Sequence, residues 1–145
     1  MATPTAYTDA EGQNAARNTR QWKDLDLFFS RKLGSDDVNT LTDVTAVKRS
    51  VRNLILTNHY EKPFHPEIGS GVRDMLFEPM TPLTAHVLTR KIEDVIVNFE
   101  PRVRLIDVTA WPNLDRNEYE CTISFFVVNT PTELVDLTVF LERLR

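Results

Sequence analysis

The sequence predicts an α+β domain: two main helices plus a short one, packed on a C-terminal three-stranded antiparallel meander. Three observations predict it. Two stretches in the first two-thirds of the chain repeat apolar residues at helical spacing. A later run, Glu118 to Val128, alternates apolar and polar residues with period two. The segments joining the last three strand-like runs are of hairpin length, which favours antiparallel neighbours over crossovers.

Taken in order, residues 1–21 form a polar N-terminal extension and residues 22–145 a single domain. Met1 to about Asn18 shows no apolar face, so this part is expected to order only against a partner. Trp22, Leu25, Leu27, Phe28 and Phe29 bring the first large apolar surface, and Lys32-Leu33-Gly34-Ser35-Asp36-Asp37 reads as a turn. The first confident helix is about Val44–Thr57. Val47, Val51, Leu54 and Ile55 make its stripe, Lys48, Arg49, Arg52 and Asn53 its wetter side, and Asp43 its N-cap.

Asn58 to Ser70 holds Pro63, Pro66 and Gly69 and is too broken for a regular element. A short helix near Gly71–Phe77 stops before Pro79. In the second long helix Thr81 caps, Pro82 fits the first position, and Leu88, Ile92, Val95, Ile96 and Phe99 form the stripe. Glu100-Pro101 ends it, because proline lacks the N–H and disfavours α geometry in the residue before it. Strands are expected over Val103–Ala110, Glu118–Val128 and Leu134–Leu141, with connectors Trp111–Asn117 and Asn129–Thr132. The last strand runs almost to Arg145 and is expected at a sheet edge, where free N–H and C=O groups can pair with another chain.

Composition narrows the function. One domain fits 145 residues, and a formal net charge of -4 argues against a generally nucleic-acid-binding surface. Cys121 is the only cysteine, so no intrachain disulfide forms and a reducing, cytosol-like compartment is the simpler reading. No apolar run approaches the ~20 residues that cross a bilayer. Met1-Ala2-Thr3-Pro4 does not open like a signal peptide.

The chemistry of a catalytic site is missing. His59, His65 and His86 are far apart and belong to no metal-ligand motif, so no metal or cofactor is expected. Cys121 falls on the apolar side of a strand, where a small buried hydrophobe is favoured over a nucleophile. Gly69-Ser70-Gly71 marks a tight backbone path more readily than an anion site. Glu61, Glu67, Asp74, Glu78 and Glu100 could include an acid and a base for glycoside cleavage. With 21 acidic residues some proximity arises by chance, and Arg52, Arg73 and Arg102 are equally good structural partners. No catalytic residue is therefore assigned. Glu100 and Arg102 flank the helix stop with an acceptor carboxylate and a five-donor fork, groups suited to a fixed, charge-assisted contact.

Several blocks together carry a resemblance. Asp43 to Ala46 leads into Val47-Lys48-Arg49-Ser50-Val51-Arg52-Asn53-Leu54 and then Leu56-Thr57-Asn58. Glu61-Lys62-Pro63-Phe64-His65-Pro66-Glu67-Ile68-Gly69-Ser70-Gly71, Leu76-Phe77-Glu78-Pro79 and Glu100-Pro101-Arg102 follow. In this order and spacing they resemble the baseplate-wedge and tail-sheath-initiator family of T-even-like contractile phages, over about Leu25 to Arg145.

The resemblance implies a non-enzymatic virion subunit of the tail baseplate, assembled in the host cytoplasm. Its implied partners are the wedge core proteins, the tail sheath protein, and tail tube or hub proteins, with six copies per ring and no nucleic acid or membrane. It also implies that the charges of Glu100-Pro101-Arg102 hold the helix-to-sheet corner or a neighbouring subunit; pairing within the chain is favoured over pairing across a subunit boundary. The sheath-facing strand maps onto Leu134-Val135-Asp136-Leu137-Thr138-Val139-Phe140-Leu141. Related subunits of type VI secretion and other contractile injection systems are the alternative. A lysozyme-like glycoside hydrolase, a label some members have carried, is a more distant one.

Overall fold

The computed structural model describes residues 22–34 and 37–143. The expected polar extension over 1–21, two residues of the Lys32–Asp37 turn, and Leu144 and Arg145 lie outside these residues. Element order is β1 (Lys23–Leu25), β2 (Thr40–Thr42), α1 (Asp43–Leu56), α2 (Val72–Met75), α3 (Pro82–Phe99), β3 (Val103–Asn113), β4 (Glu118–Val127) and β5 (Thr130–Glu142). The chain forms two compact units that meet in sequence at Thr42/Asp43. The three-residue strands β1 and β2 pair antiparallel with each other and stay separate from the three-stranded sheet.

In the first unit, Asp24 lies opposite Leu41, and Arg31 bridges Val38. The Asp26 carboxylate accepts from the Phe28 N–H at 3.1 Å and from the Ser30 hydroxyl, shaping the turn after β1. Leu27, Phe28, Phe29 and Leu33 are exposed, so the apolar surface expected here faces outward.

The second unit is built on β4. Its alternation puts Tyr119, Cys121, Ile123, Phe125 and Val127 on one face, all fully buried. At about 1.5–3 kcal/mol for each large apolar side chain, this row contributes on the order of 10 kcal/mol. An exposed pair such as Arg90–Glu93, 3.4 Å apart, adds at most about 1 kcal/mol. The apolar layer decides the fold. Sheet order is β3-β4-β5, antiparallel throughout, so β4 is central and the last strand is an edge.

Hydrogen-bond direction can be read along the whole sheet from its ends. Val128 N–H donates to Arg102 C=O at 3.0 Å, so even-numbered β4 residues point their main-chain groups at β3. Arg143 N–H donates to Asn117 C=O at 2.9 Å, so odd-numbered residues of β4 and β5 bond each other. Pro112 pairs in register with Tyr119, at a β3 position whose N–H would point away from the sheet, so it costs the ladder nothing. For that reason β3 continues through Trp111-Pro112-Asn113, which the sequence placed in a connector. β5 is also longer than Leu134–Leu141: it starts at Thr130, and a register shift leaves residues 131–133 bulged opposite β4.

The helices supply the other half of the core. Ala46, Val47, Val51 and Ile55 of α1 are buried, as are Ala85, Leu88, Ile92, Val95 and Ile96 of α3. Leu54 and Phe99, expected in these stripes, are only partly buried. Thr81 caps α3, its hydroxyl accepting from Thr84 N–H at 3.1 Å, and Pro82 takes the first turn. Asp43, expected as a cap, stands at the first position of α1 and with φ 43° lies outside helical geometry.

The irregular stretch between α1 and α2 is closed at its base. Ser70 N–H donates to Thr57 C=O at 2.9 Å, and the buried Ser70 hydroxyl donates to Ile55 C=O at 2.6 Å. Gly69 permits this closure, because a Cβ there would lie 2.4 Å from the His59 backbone nitrogen. Gly69→Ala is expected to destabilise by about 1–3 kcal/mol, since backbone rather than a flexible side chain must give way. A urea-unfolding midpoint equal to wild type would show that the loop relaxes freely.

Candidate functional site

Two features of the second unit can do something beyond folding: an ion-paired corner and a free sheet edge. At the corner, Glu100 leaves helical geometry with φ -123° and ψ 79°. Its N–H still donates to Ile96 C=O at 2.9 Å, while its C=O accepts from Val103 N–H at 3.2 Å. One residue thus closes α3 and opens β3. Pro101 enforces the turn because it cannot extend the helix.

The Glu100 side chain is buried, with 5% exposure, and Arg102 grips it at 2.6 Å through Nε and 3.0 Å through Nη2. Ser50 of α1 donates its hydroxyl to the same carboxylate at 2.5 Å. The corner therefore ties α1 to the junction of α3 and β3. Burial pushes the Glu100 carboxyl up, but the Arg102 and Ser50 hydrogen bonds outweigh it and hold the group below the usual range. A depressed folded-state pKa stabilises the fold above the unfolded value of about 4.3, and this is lost as pH falls through the folded value. The urea midpoint of the wild type should drop between about pH 5 and pH 3 more steeply than that of Glu100→Gln. Parallel curves would remove the carboxylate from the acid response.

The free edge belongs to β5. Val135, Val139 and Leu141 are buried and Leu137 is half-buried, and these odd-numbered residues bond β4. Leu134, Asp136, Thr138 and Phe140 have exposed side chains and point their N–H and C=O groups away from the sheet. This edge runs unbroken over the expected sheath-facing residues. The opposite edge is blunted: β3 carries a bulge between Leu105 and Asp107, and Pro112 offers no donor.

Three of the five acids weighed for catalysis, Glu61, Glu67 and Glu100, hold structural contacts. Glu61 accepts from Asn58 N–H at 2.8 Å, fixing the loop. Glu67 is exposed and pairs with His65 Nδ1 at 3.0 Å. Hydrogen bonds from its own backbone and from His65 hold its carboxyl below the usual range. Glycoside cleavage needs a carboxyl raised enough to carry a proton, the reverse of what Glu67 and Glu100 show. Burial pushes the Cys121 thiol up to about 12, which leaves it inert as a nucleophile. Among the described residues, no group of three metal-ligating side chains comes together, and no helix is long and apolar enough to cross a membrane.

Sequence reasoning missed Ser50 at the corner. It lies 50 residues from Glu100 on the partly exposed side of α1, and a serine in a helix carries no local sign of a distant partner.

These features define a class: an α+β domain whose buried ion pair fixes the helix-to-sheet corner and whose last strand is an edge of its three-stranded sheet. The family described as baseplate wedge protein gp25 matches residues 42–132. The baseplate wedge protein gp25 of Enterobacteria phage T4 is 36% identical over 98 residues, covering 68% of this chain and 74% of that protein. The chain belongs to the baseplate wedge protein gp25 family.

Solved structures share the fold. A chain of the anti-feeding prophage (AFP) baseplate aligns with a TM-score of 0.60 at 21% identity, over 86% of this chain and 88% of that one. A Geobacter sulfurreducens protein provisionally named a tail lysozyme aligns with a TM-score of 0.59 at 23% identity, over 68% and 91%.

Proposed function

We propose that this chain is a structural subunit of a contractile tail baseplate that joins the wedge to the tail sheath and templates sheath polymerisation through β5. Membership of the wedge-protein family supports the baseplate role. The observation that carries the finer reading is the open β5 edge, with its outward main-chain groups on consecutive even-numbered residues. A sheath chain would add a strand there, its main chain supplying affinity and its alternate side chains specificity. The corner of Glu100, Pro101 and Arg102 would keep that sheet fixed relative to the helices that face the wedge core. Six copies around the tube would present six such edges, which sets the register of the first sheath ring. The site of action is the virion baseplate, after assembly in the host cytoplasm.

The AFP baseplate likeness, spanning most of the chain, favours one second reading, an equivalent subunit of a contractile injection device. The higher identity to the phage T4 protein favours the phage reading. No hydrolytic activity is part of the proposal, and the Geobacter likeness is one of fold. Purified protein is expected to release no sugars from peptidoglycan; turnover abolished by Glu61→Gln or Glu100→Gln would overturn this. The assembly role is tested by adding the chain to baseplates that lack it. Sheath should polymerise only after addition, and sheath growth without it would sink the proposal.

A further inference from the structure

The helices bury one face of the meander; on its other face the described side chains are exposed or half-buried. Cross-strand register puts Trp111, Glu120 and Phe140 in one row across it, with Asp107, Ser124 and Asp136 in another. The carboxylates of Asp107, Glu120, Asp136 and Glu142 are all exposed. β4 and β5 contain no lysine or arginine, and on β3 only Arg104, beyond the bulge, is basic. A fifth acid of this face, Glu118, is paired with Arg116 of the β3–β4 turn at 3.7 Å, which leaves four exposed acids against Arg104. Trp111 and Phe140, 68% and 55% exposed, flank Glu120 with aromatic surface.

We propose that this face docks a basic protein surface, one presenting arginine or lysine side chains around an apolar centre. The acids supply charge complementarity, and Trp111 offers a ring on which a guanidinium stacks. Phosphate backbones and anionic lipid are repelled by the same field. A second copy would bring like charges opposite one another, which disfavours self-association through this face.

The dimensions indicate how such a contact would work. Three strands about 4.8 Å apart and some ten residues long give a footprint of roughly 450 Å². A standard interface buries about 800 Å² per partner, so this face alone binds weakly and its charges chiefly steer and orient. It is continuous with the β5 edge, because Asp136, Thr138 and Phe140 place side chains on the face and main-chain groups on the edge. The proposal nonetheless stands apart from strand addition and is tested on the isolated full chain.

The test is an amide chemical-shift titration with a helical lysine–leucine peptide, which cannot add as a strand. Shifts should cluster at Glu120, Thr122, Ser124 and Asp136, and binding should weaken about tenfold from ~50 to ~500 mM salt. Glu120→Lys/Asp136→Lys should abolish binding without lowering the melting temperature. If that variant fails to fold, Glu120→Gln/Asp136→Asn should still weaken binding several-fold. Thr138→Pro, which deletes an edge donor but keeps all four acids and both aromatic rings, should bind the peptide within about twofold of wild type. The proposal is overturned by absence of binding, by shifts centred on Glu61, Glu67 and Asp74, or by equal binding of a glutamate–leucine peptide. Loss of binding in Thr138→Pro, or self-association that produces the same shifts, would overturn it too.

Discussion

Arg102→Ala is expected to lower stability by about 3–5 kcal/mol, because it leaves the Glu100 carboxylate buried without its bidentate partner. Ser50 still donates to that carboxylate, which places the expected loss towards the lower end. Removing Arg90 from its exposed pair with Glu93 should cost no more than about 0.5 kcal/mol, so the two arginines separate a structural charge from a solvated one. Arg102→Lys should not rescue fully, since an ammonium cannot reproduce the two-pronged contact through Nε and Nη2. Urea unfolding followed by circular dichroism measures all three. A loss below about 1 kcal/mol for Arg102→Ala would show that the carboxylate is rehydrated or neutralised and that the corner is held by packing alone.

Thr138→Pro is expected to abolish sheath templating while costing the isolated protein only about 1–2 kcal/mol. Thr138 is exposed and its N–H points away from β4, so proline there deletes an outward donor and leaves the internal ladder intact. Val139→Pro is the matched opposite. Val139 is buried and bonds Cys121 across the strand pair, so proline there should cost about 3 kcal/mol or more and empty part of the core. Folded Thr138→Pro baseplates that grow normal sheath would remove the β5 edge from the mechanism. Deleting β5 outright is a poorer test, because Val135, Val139 and Leu141 belong to the core and their loss confounds templating with unfolding.

What could be read from the sequence was whatever rests on local periodicity or punctuation. The helical stripe of Leu88, Ile92, Val95 and Ile96, the Thr81-Pro82 start, and the alternation from Tyr119 to Val127 each lie within one element, and each is buried or bonded as the pattern requires. The edge position of the last strand was also readable, since a C-terminal meander strand has a neighbour on one side only. What escaped depends on partners distant in sequence. Pro112 looks like a strand breaker until β3 is known to be an edge strand with that N–H turned outward. The bulges after Leu105 and near Phe126 follow from how two strands meet, which neither strand encodes alone. Ser50 joins the corner only once α1 is laid against the end of α3. β1 and β2 are equally silent, because two three-residue strands give too short a pattern to mark their own sheet.

The corner and the edge answer to one physical idea: a buried, paired carboxylate fixes the sheet, and the sheet presents an edge strand that runs without a bulge from Leu134 to Phe140. The most direct measurement is a density map of an assembled baseplate with its first sheath ring. The account predicts a fourth strand from a sheath subunit bonded to the outward groups of Leu134, Asp136, Thr138 and Phe140. A map showing β5 facing solvent, or sheath chains meeting the chain only along β3, would contradict it.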